Sequence, residues 1–151
     1  MNIFETLQKG KGSVNEENVS SFLGYLLDPN EDHDLKTVFF EKFLKCIGIK
    51  DSEIKITDTS SLKINFEFPV SNKTRRIDLV FETNSHIIAI ENKIAEKSKQ
   101  PKQVQEEYDG LRESQYFKDK NKSIIMLFLV PENKGENIKI KENTDDKYKI
   151  I

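Results

Sequence analysis

The sequence predicts an α/β domain, a mixed central sheet of about four strands flanked by helices in the order αβββαβ. Three observations lead there. Residues 76–82 and 87–93 are apolar-rich runs on either side of Thr83-Asn84-Ser85-His86, and β-branched and aromatic residues around turn formers specify a β-hairpin. Residues 123–130, SIIMLFLV, form the most apolar run of the chain, too short and too β-rich for a helix and therefore a buried strand. Between these two regions a helical pattern sets in at about Pro101, supplying the crossover that a parallel pairing needs.

In chain order, residues 2–9 suit a short helix closed by Gly10-Lys11-Gly12. Val19, Phe22, Leu23, Leu26 and Leu27 then recur at helical spacing, with Ser13 or Asn15 as cap and Glu16 and Glu17 in the first turn, where the helix dipole favours them. Asp28-Pro29-Asn30 ends that helix. A second helix spans residues 35–47, with Val38, Phe39, Phe43, Leu44 and Ile47 on one side and Gly48 closing it. Residues 51–61 are polar and turn-rich, a loop or irregular edge strand. Residues 62–70 alternate, placing Leu62, Ile64, Phe66 and Phe68 on one face and Lys63, Asn65 and Glu67 on the other, a half-exposed strand ending near Pro69. Val104, Tyr108, Leu111 and Tyr116 or Phe117 supply the buried stripe of the crossover helix, with Pro101 in its first turn. Residues 137–141 and 147–151 suit short strands.

A chain of 151 residues most simply makes a single domain, residues 1–151, with a working core. With 24 basic against 26 acidic residues, no global positive field points to nucleic acid, so any such contact must be local. The single cysteine, Cys46, excludes an internal disulfide and fits a reducing cytosol; its apolar helical setting predicts a buried structural thiol. No apolar run approaches transmembrane length and residues 1–12 lack a signal-peptide core, so a cytoplasmic protein without a membrane partner is expected. No internal repeat is present.

The hairpin register sets the chemistry. A loop of two or of four residues makes Glu82 face Ile87, and counting back puts Asp78 opposite Glu91 and Arg76 opposite Lys93, all on one face. Opposed carboxylates lie about 5 Å apart at Cβ and repel unless something stands between them. A divalent cation is the simplest remedy, and oxygen ligation by two carboxylates suits Mg²⁺, which keeps several waters. Lys93 would set a positive charge beside it, where charge develops on a phosphate under attack. The plainer account is a wet strand face with ordinary charges; against it, Ile87, Ile88, Ala89 and Ile90 are apolar on both faces, as in a buried strand.

Asp78, followed by Glu91-Asn92-Lys93 at the end of an apolar strand, resembles the core of the PD-(D/E)xK nuclease superfamily, with its restriction-endonuclease-like fold. The resemblance implies that Asp78 and Glu91 are metal ligands and Lys93 the catalytic lysine; Ile77 departs from the proline of the motif. The segment SSFLGYLLDPNEDHDLKTVFFEKFL resembles the N-terminal signature of a bacterial and phage branch, in which an acidic residue a turn before the serine joins the site. Here that is Glu16 or Glu17; the sequence does not decide between them, Glu17 is carried forward as the metal ligand, and a dipole-complementing acid is an equally good account of either. His33 is better explained as capping or bonding locally than as a ligand, and Glu67 as a solvated strand residue than as a further carboxylate. Family members often carry a glutamine with a tyrosine four residues later on the crossover helix. Gln103 is instead followed at that spacing by Glu107, with Tyr108 one beyond, while Gln105 stands three before Tyr108. Motif phrasing favours Gln103 as catalytic; helix geometry pairs Gln105 with Tyr108.

The expected function is a Mg²⁺-dependent endonuclease acting on DNA, with Mn²⁺ able to substitute and RNA left open. Lys97, Lys99, Lys102 and Tyr108 are the candidate nucleic-acid contacts, although a solvated lysine loop is the commoner meaning of such a cluster. Cutting both strands is easiest for a homodimer, for which the sequence shows no interface signature. The resemblance covers residues 13–130, and relatives of this branch often continue with further helices, so the chain is a small version or a truncated one. Two alternatives belong to other classes: a nuclease-fold module that binds without turnover, and an interaction protein of phage or bacterial defence.

Overall fold

The computed structural model describes residues 15–49, 54, 62–70, 75–92, 101–118, 121–129 and 147–150. Helix α1 (Glu16–Leu27) starts at a reciprocal cap. The Asn15 side chain accepts the Asn18 N–H at 2.8 Å, and the Asn18 side chain accepts the Asn15 N–H at 3.3 Å. Helix α2 (Val38–Cys46) is shorter than the predicted 35–47 because Asp34 and Lys36 adopt left-handed backbone, φ 59° and 49°, which no helix can include. Gly48, at φ 72°, closes it in a Schellman motif: Ile49 N–H bonds Leu44 O at 2.9 Å and Gly48 N–H bonds Lys45 O at 3.0 Å. Phe40, Leu44 and Ile47 are the buried side of this segment, and Cys46 lies on the other. The expected buried thiol is therefore corrected to an exposed one.

Strands β1 (Lys63–Pro69), β2 (Arg76–Glu82), β3 (His86–Asn92), β4 (Ser123–Leu129) and β5 (Lys147–Ile150) make one sheet in sequence order. β1, β2 and β3 form an antiparallel meander. β3 and β4 are parallel, joined through α3 (Pro101–Glu113) and α4 (Gln115–Lys118), and β5 adds a fifth, parallel strand. One face of the sheet packs Leu79, Phe81, Ile88 and Ile90 against Leu27, Phe40 and Leu44 of α1 and α2. The other packs Val80, Ala89 and Met126 against Tyr108, Leu111 and Phe117 of α3 and α4. Helices thus cover both faces, which is why β3 and β4 are apolar on both sides.

One expectation fails in β1. Leu62, Ile64, Phe66 and Phe68 do not share a face: Leu62 and Ile64 belong to the α1 side, whereas Phe68 lies in the cluster under α3 and α4. Glu67 has φ 49°, and this left-handed residue turns the strand over between Phe66 and Phe68. The ladder shows the same break. Phe66 pairs with Leu79 and Phe68 with Ile77, while the intervening position, where Glu67 faces Asp78, makes no rung. Gly24 brings α1 close to this strand, since a Cβ there would stand 2.5 Å from the Phe66 ring.

Among the described residues no helix is long and apolar enough to cross a membrane. The predicted helix at 2–9 and strand at 137–141 lie outside the described residues, as does the 51–61 loop apart from Ile54.

Candidate active site

The hairpin closes on two residues, Asn84 and Ser85: Thr83 N–H donates to His86 O at 2.9 Å, and His86 N–H donates to the Thr83 hydroxyl at 2.9 Å. The rungs run from Glu82 with Ile87 to Leu79 with Ile90 and stop one step short of Asp78 and Glu91; beyond them the alternation of β2 breaks, Leu79 lying in the cluster under α1 and α2 and Ile77 in the one under α3 and α4. There a side chain takes over from the backbone. Asn92 N–H donates to Asp78 Oδ2 at 2.8 Å, fixing the carboxylate of β2 onto the last residue of β3.

Glu91 is 2% exposed and lies on the sheet face covered by α3. Gln103, in the first turns of α3, donates through Nε2 to Glu91 Oε1 at 3.2 Å and to Glu107 Oε1 at 2.7 Å. Glu107 has no exposed surface. The helix is held over this end of the sheet by Tyr108 and Leu111 in the core and by an ion pair from Arg75 to Glu106 at 2.8 Å.

On the opposite face, Asn92 reaches α1: its Nδ2 stands 3.5 Å from Glu16 O, a weak contact that locates the first turn of α1 beside the end of β3. Glu16 is half-buried and Glu17 exposed, so of the two candidate acids Glu16 is the one against the strand end. One turn on, Ser20 is buried and its hydroxyl has no hydrogen-bond partner among the described residues. No group of three His, Cys, Asp or Glu side chains is gathered among the described residues, so Asp78, Glu91 and Glu17 do not form a three-acid cage.

Lys93, Lys97 and Lys99 lie outside the described residues, and Lys102 lies on α3 with its side chain outside the description. Tyr108, expected at the nucleic acid, is 1% exposed and packs within the apolar cluster under α3. Gln105, the choice of helix geometry, donates to Asp109 at 3.0 Å on the exposed side of α3, and it is Gln103 that meets Glu91. His33 bonds locally, its Nδ1 accepting the Leu35 N–H at 3.0 Å, and its ring meets Tyr25 edge-on. Glu67 is exposed. Two residues in these hydrogen bonds, Asn92 and Glu107, were named in the sequence without a role of their own. Their signals were a polar residue ending an apolar strand and a Gln–Glu spacing of four on a helix face.

All the donors in the Asp78–Glu91 pair are carboxylate oxygens, one anchored by a backbone N–H and the other by an amide, and such a set fits a hard divalent cation. A model of the PD-(D/E)XK nuclease superfamily matches residues 1–151. No curated protein and no solved structure matches the chain.

Proposed function

The chain belongs to the PD-(D/E)XK nuclease superfamily, and from that premise we propose that it is a Mg²⁺-dependent endonuclease hydrolysing phosphodiester bonds in DNA. The observation that carries the proposal is the pair of anchored carboxylates at one end of the β2–β3 hairpin, Asp78 bonded by Asn92 N–H and Glu91 by Gln103. A bound Mg²⁺ would supply Lewis acidity and an acidified water at neutral pH. Asp78 and Glu91 hold the ion through their carboxylates, and Mn²⁺ substitutes because it accepts the same oxygen donors. Gln103 fixes the Glu91 carboxylate from the α3 side. Lys93, two residues after Glu91, supplies an ammonium to the charge developing on the phosphate. Neither Glu16, which meets Asn92 only through its backbone carbonyl, nor the exposed Glu17 is assigned to the ion. Lys97, Lys99 and Lys102 follow the phosphate backbone, with a contribution that salt weakens. Cutting both strands of a duplex is assigned to a homodimer.

The test incubates the full chain with plasmid, linear and single-stranded DNA and with RNA, each with and without Mg²⁺ or Mn²⁺. Cleavage should require the metal and fall by about a hundredfold or more in Asp78→Asn, Glu91→Gln and Lys93→Met. Cleavage that survives all three substitutions would refute the assignment. Salt-sensitive binding without cutting would identify a nuclease-fold binding module instead.

A further inference from the structure

We infer that Glu107 is a positioning residue, the buried anchor that holds the Gln103 amide on Glu91 and so sets how Glu91 meets the cation; the inference rests on the metal reading above. The geometry is that of one nitrogen between two acids. Gln103 Nε2 lies 2.7 Å from Glu107 Oε1 and 3.2 Å from Glu91 Oε1. A primary amide has two N–H donors on that nitrogen, about 120° apart, which sets the two carboxylate oxygens about 5 Å from each other.

Between two carboxylates only the NH₂ end of the amide is tolerated, because the carbonyl end would face them with a second acceptor. The shorter bond goes to Glu107, which shares the helix with Gln103 at a spacing of four and so keeps the amide in one rotamer. Glu91 lies on another element, and its longer bond depends on that rotamer.

Burial makes the arrangement consequential. A carboxylate with no exposed surface costs several kcal/mol to desolvate unless it is hydrogen-bonded, and a solvated Glu on an amphipathic helix would normally face water. Residue 107 is inside, next to Tyr108 and one turn from Gln103, at the expense of an apolar residue that would pack there. An acid kept at that position acts on its neighbours, and the Gln103 amide, which also bonds Glu91, is among them.

The experiment measures Mn²⁺ binding to the DNA-free full chain by electron paramagnetic resonance, together with the side-chain NH₂ signals of Gln103 by ¹⁵N-edited NMR. Glu107→Ala and Gln103→Ala should each weaken Mn²⁺ binding about tenfold or more, as loss of an outer-shell partner does. The double variant should lose no more than either single one, because Glu107 works through Gln103. Glu107→Gln should recover most of the affinity, its amide oxygen still accepting from Gln103. If Glu107→Ala does not fold, Glu107→Leu, which fills the space without an acceptor, takes its place. The two Gln103 amide protons should be separated and slow to exchange in the wild type and should collapse toward solvent values without Glu107. Additive losses, or a Glu107 variant that lowers Tm while leaving the amide signals and affinity unchanged, would overturn the inference. A wild type that binds no Mn²⁺ but whose Gln103 signals respond to position 107 would support the anchor and refute the metal reading instead.

Discussion

Asp78 anchors the hairpin and, on the proposed reading, also holds the cation, and the two roles separate by substitution. Oδ2 receives the Asn92 N–H and thereby replaces a rung of the hairpin. Asp78→Asn keeps an oxygen for that N–H and should leave stability within about 1 kcal/mol, while Asp78→Ala strands the donor and should cost about 1–3 kcal/mol. Urea denaturation of the two variants distinguishes these values, and both should be inactive. A second residue-level consequence concerns Tyr25. The hydrogen bond it donates to Asp32 at 2.9 Å, aided by desolvation and by the charges of Asp32, Glu31 and Asp34, raises the phenol above its ordinary 10.0. A raised folded value means that the associated stabilisation is complete below the ordinary value and disappears as pH climbs through the folded one. Absorbance titration of tyrosinate should show a late-ionising phenol that moves down in Asp32→Asn. The rungs from Glu82 to Leu79 were legible in the sequence because a period of two leaves little freedom once the turn is fixed, but that period lapses between Leu79 and Ile77. Glu107 was not legible, because helix periodicity names a face without saying whether an acid on it is buried. Cys46 misled because its apolar neighbours in sequence are not its neighbours around the helix.

At the scale of elements, the β2–β3 hairpin is fastened at both ends by side chains. Asp78 closes the site end, and at the turn end Lys122 bonds Glu82 at 2.7 Å and the Thr83 carbonyl, tying the hairpin to the start of β4. Both side chains of that ion pair are largely buried, at 15% and 5% exposed. Lys122→Met should therefore cost about 3–5 kcal/mol, because a buried carboxylate loses its ammonium, and adding Glu82→Gln should recover part of that loss. Chemical denaturation of the single and double variants gives both numbers. The β1 strand shows where element-level reasoning stopped. Its alternation is regular in the sequence, but Glu67 breaks the regularity with a backbone conformation that no residue type there announces. At an outer strand of the sheet such a turnover, followed by Pro69, also blunts pairing with another strand.

For the molecule as a whole, the helix–meander–helix–strand order was readable because each level agreed: hairpin turn chemistry, a doubly buried strand and a crossover helix of adequate length. The short terminal strand joined the sheet as a fifth member, paired with β4. If the acidic pair holds a cation, the folded chain binds it and the unfolded chain does not, so Mn²⁺ should raise global stability by about 2.7 kcal/mol at about a hundred times Kd. That corresponds to several degrees in Tm. Differential scanning fluorimetry should show the shift in the wild type and none in Asp78→Asn or Glu91→Gln; an equal shift in all three would place the cation elsewhere.

The same layout bears on the order of assembly. The bonds from Asn92 to Asp78 and from Gln103 to Glu91 span only 14 and 12 positions of chain. Closing such short loops loses little entropy, whereas the parallel union of β3 with β4 must wait for the intervening helix. Refolding should accordingly bring the acids together while the sheet is still open along its parallel half, so that a cation present from the outset can influence which way the chain collapses.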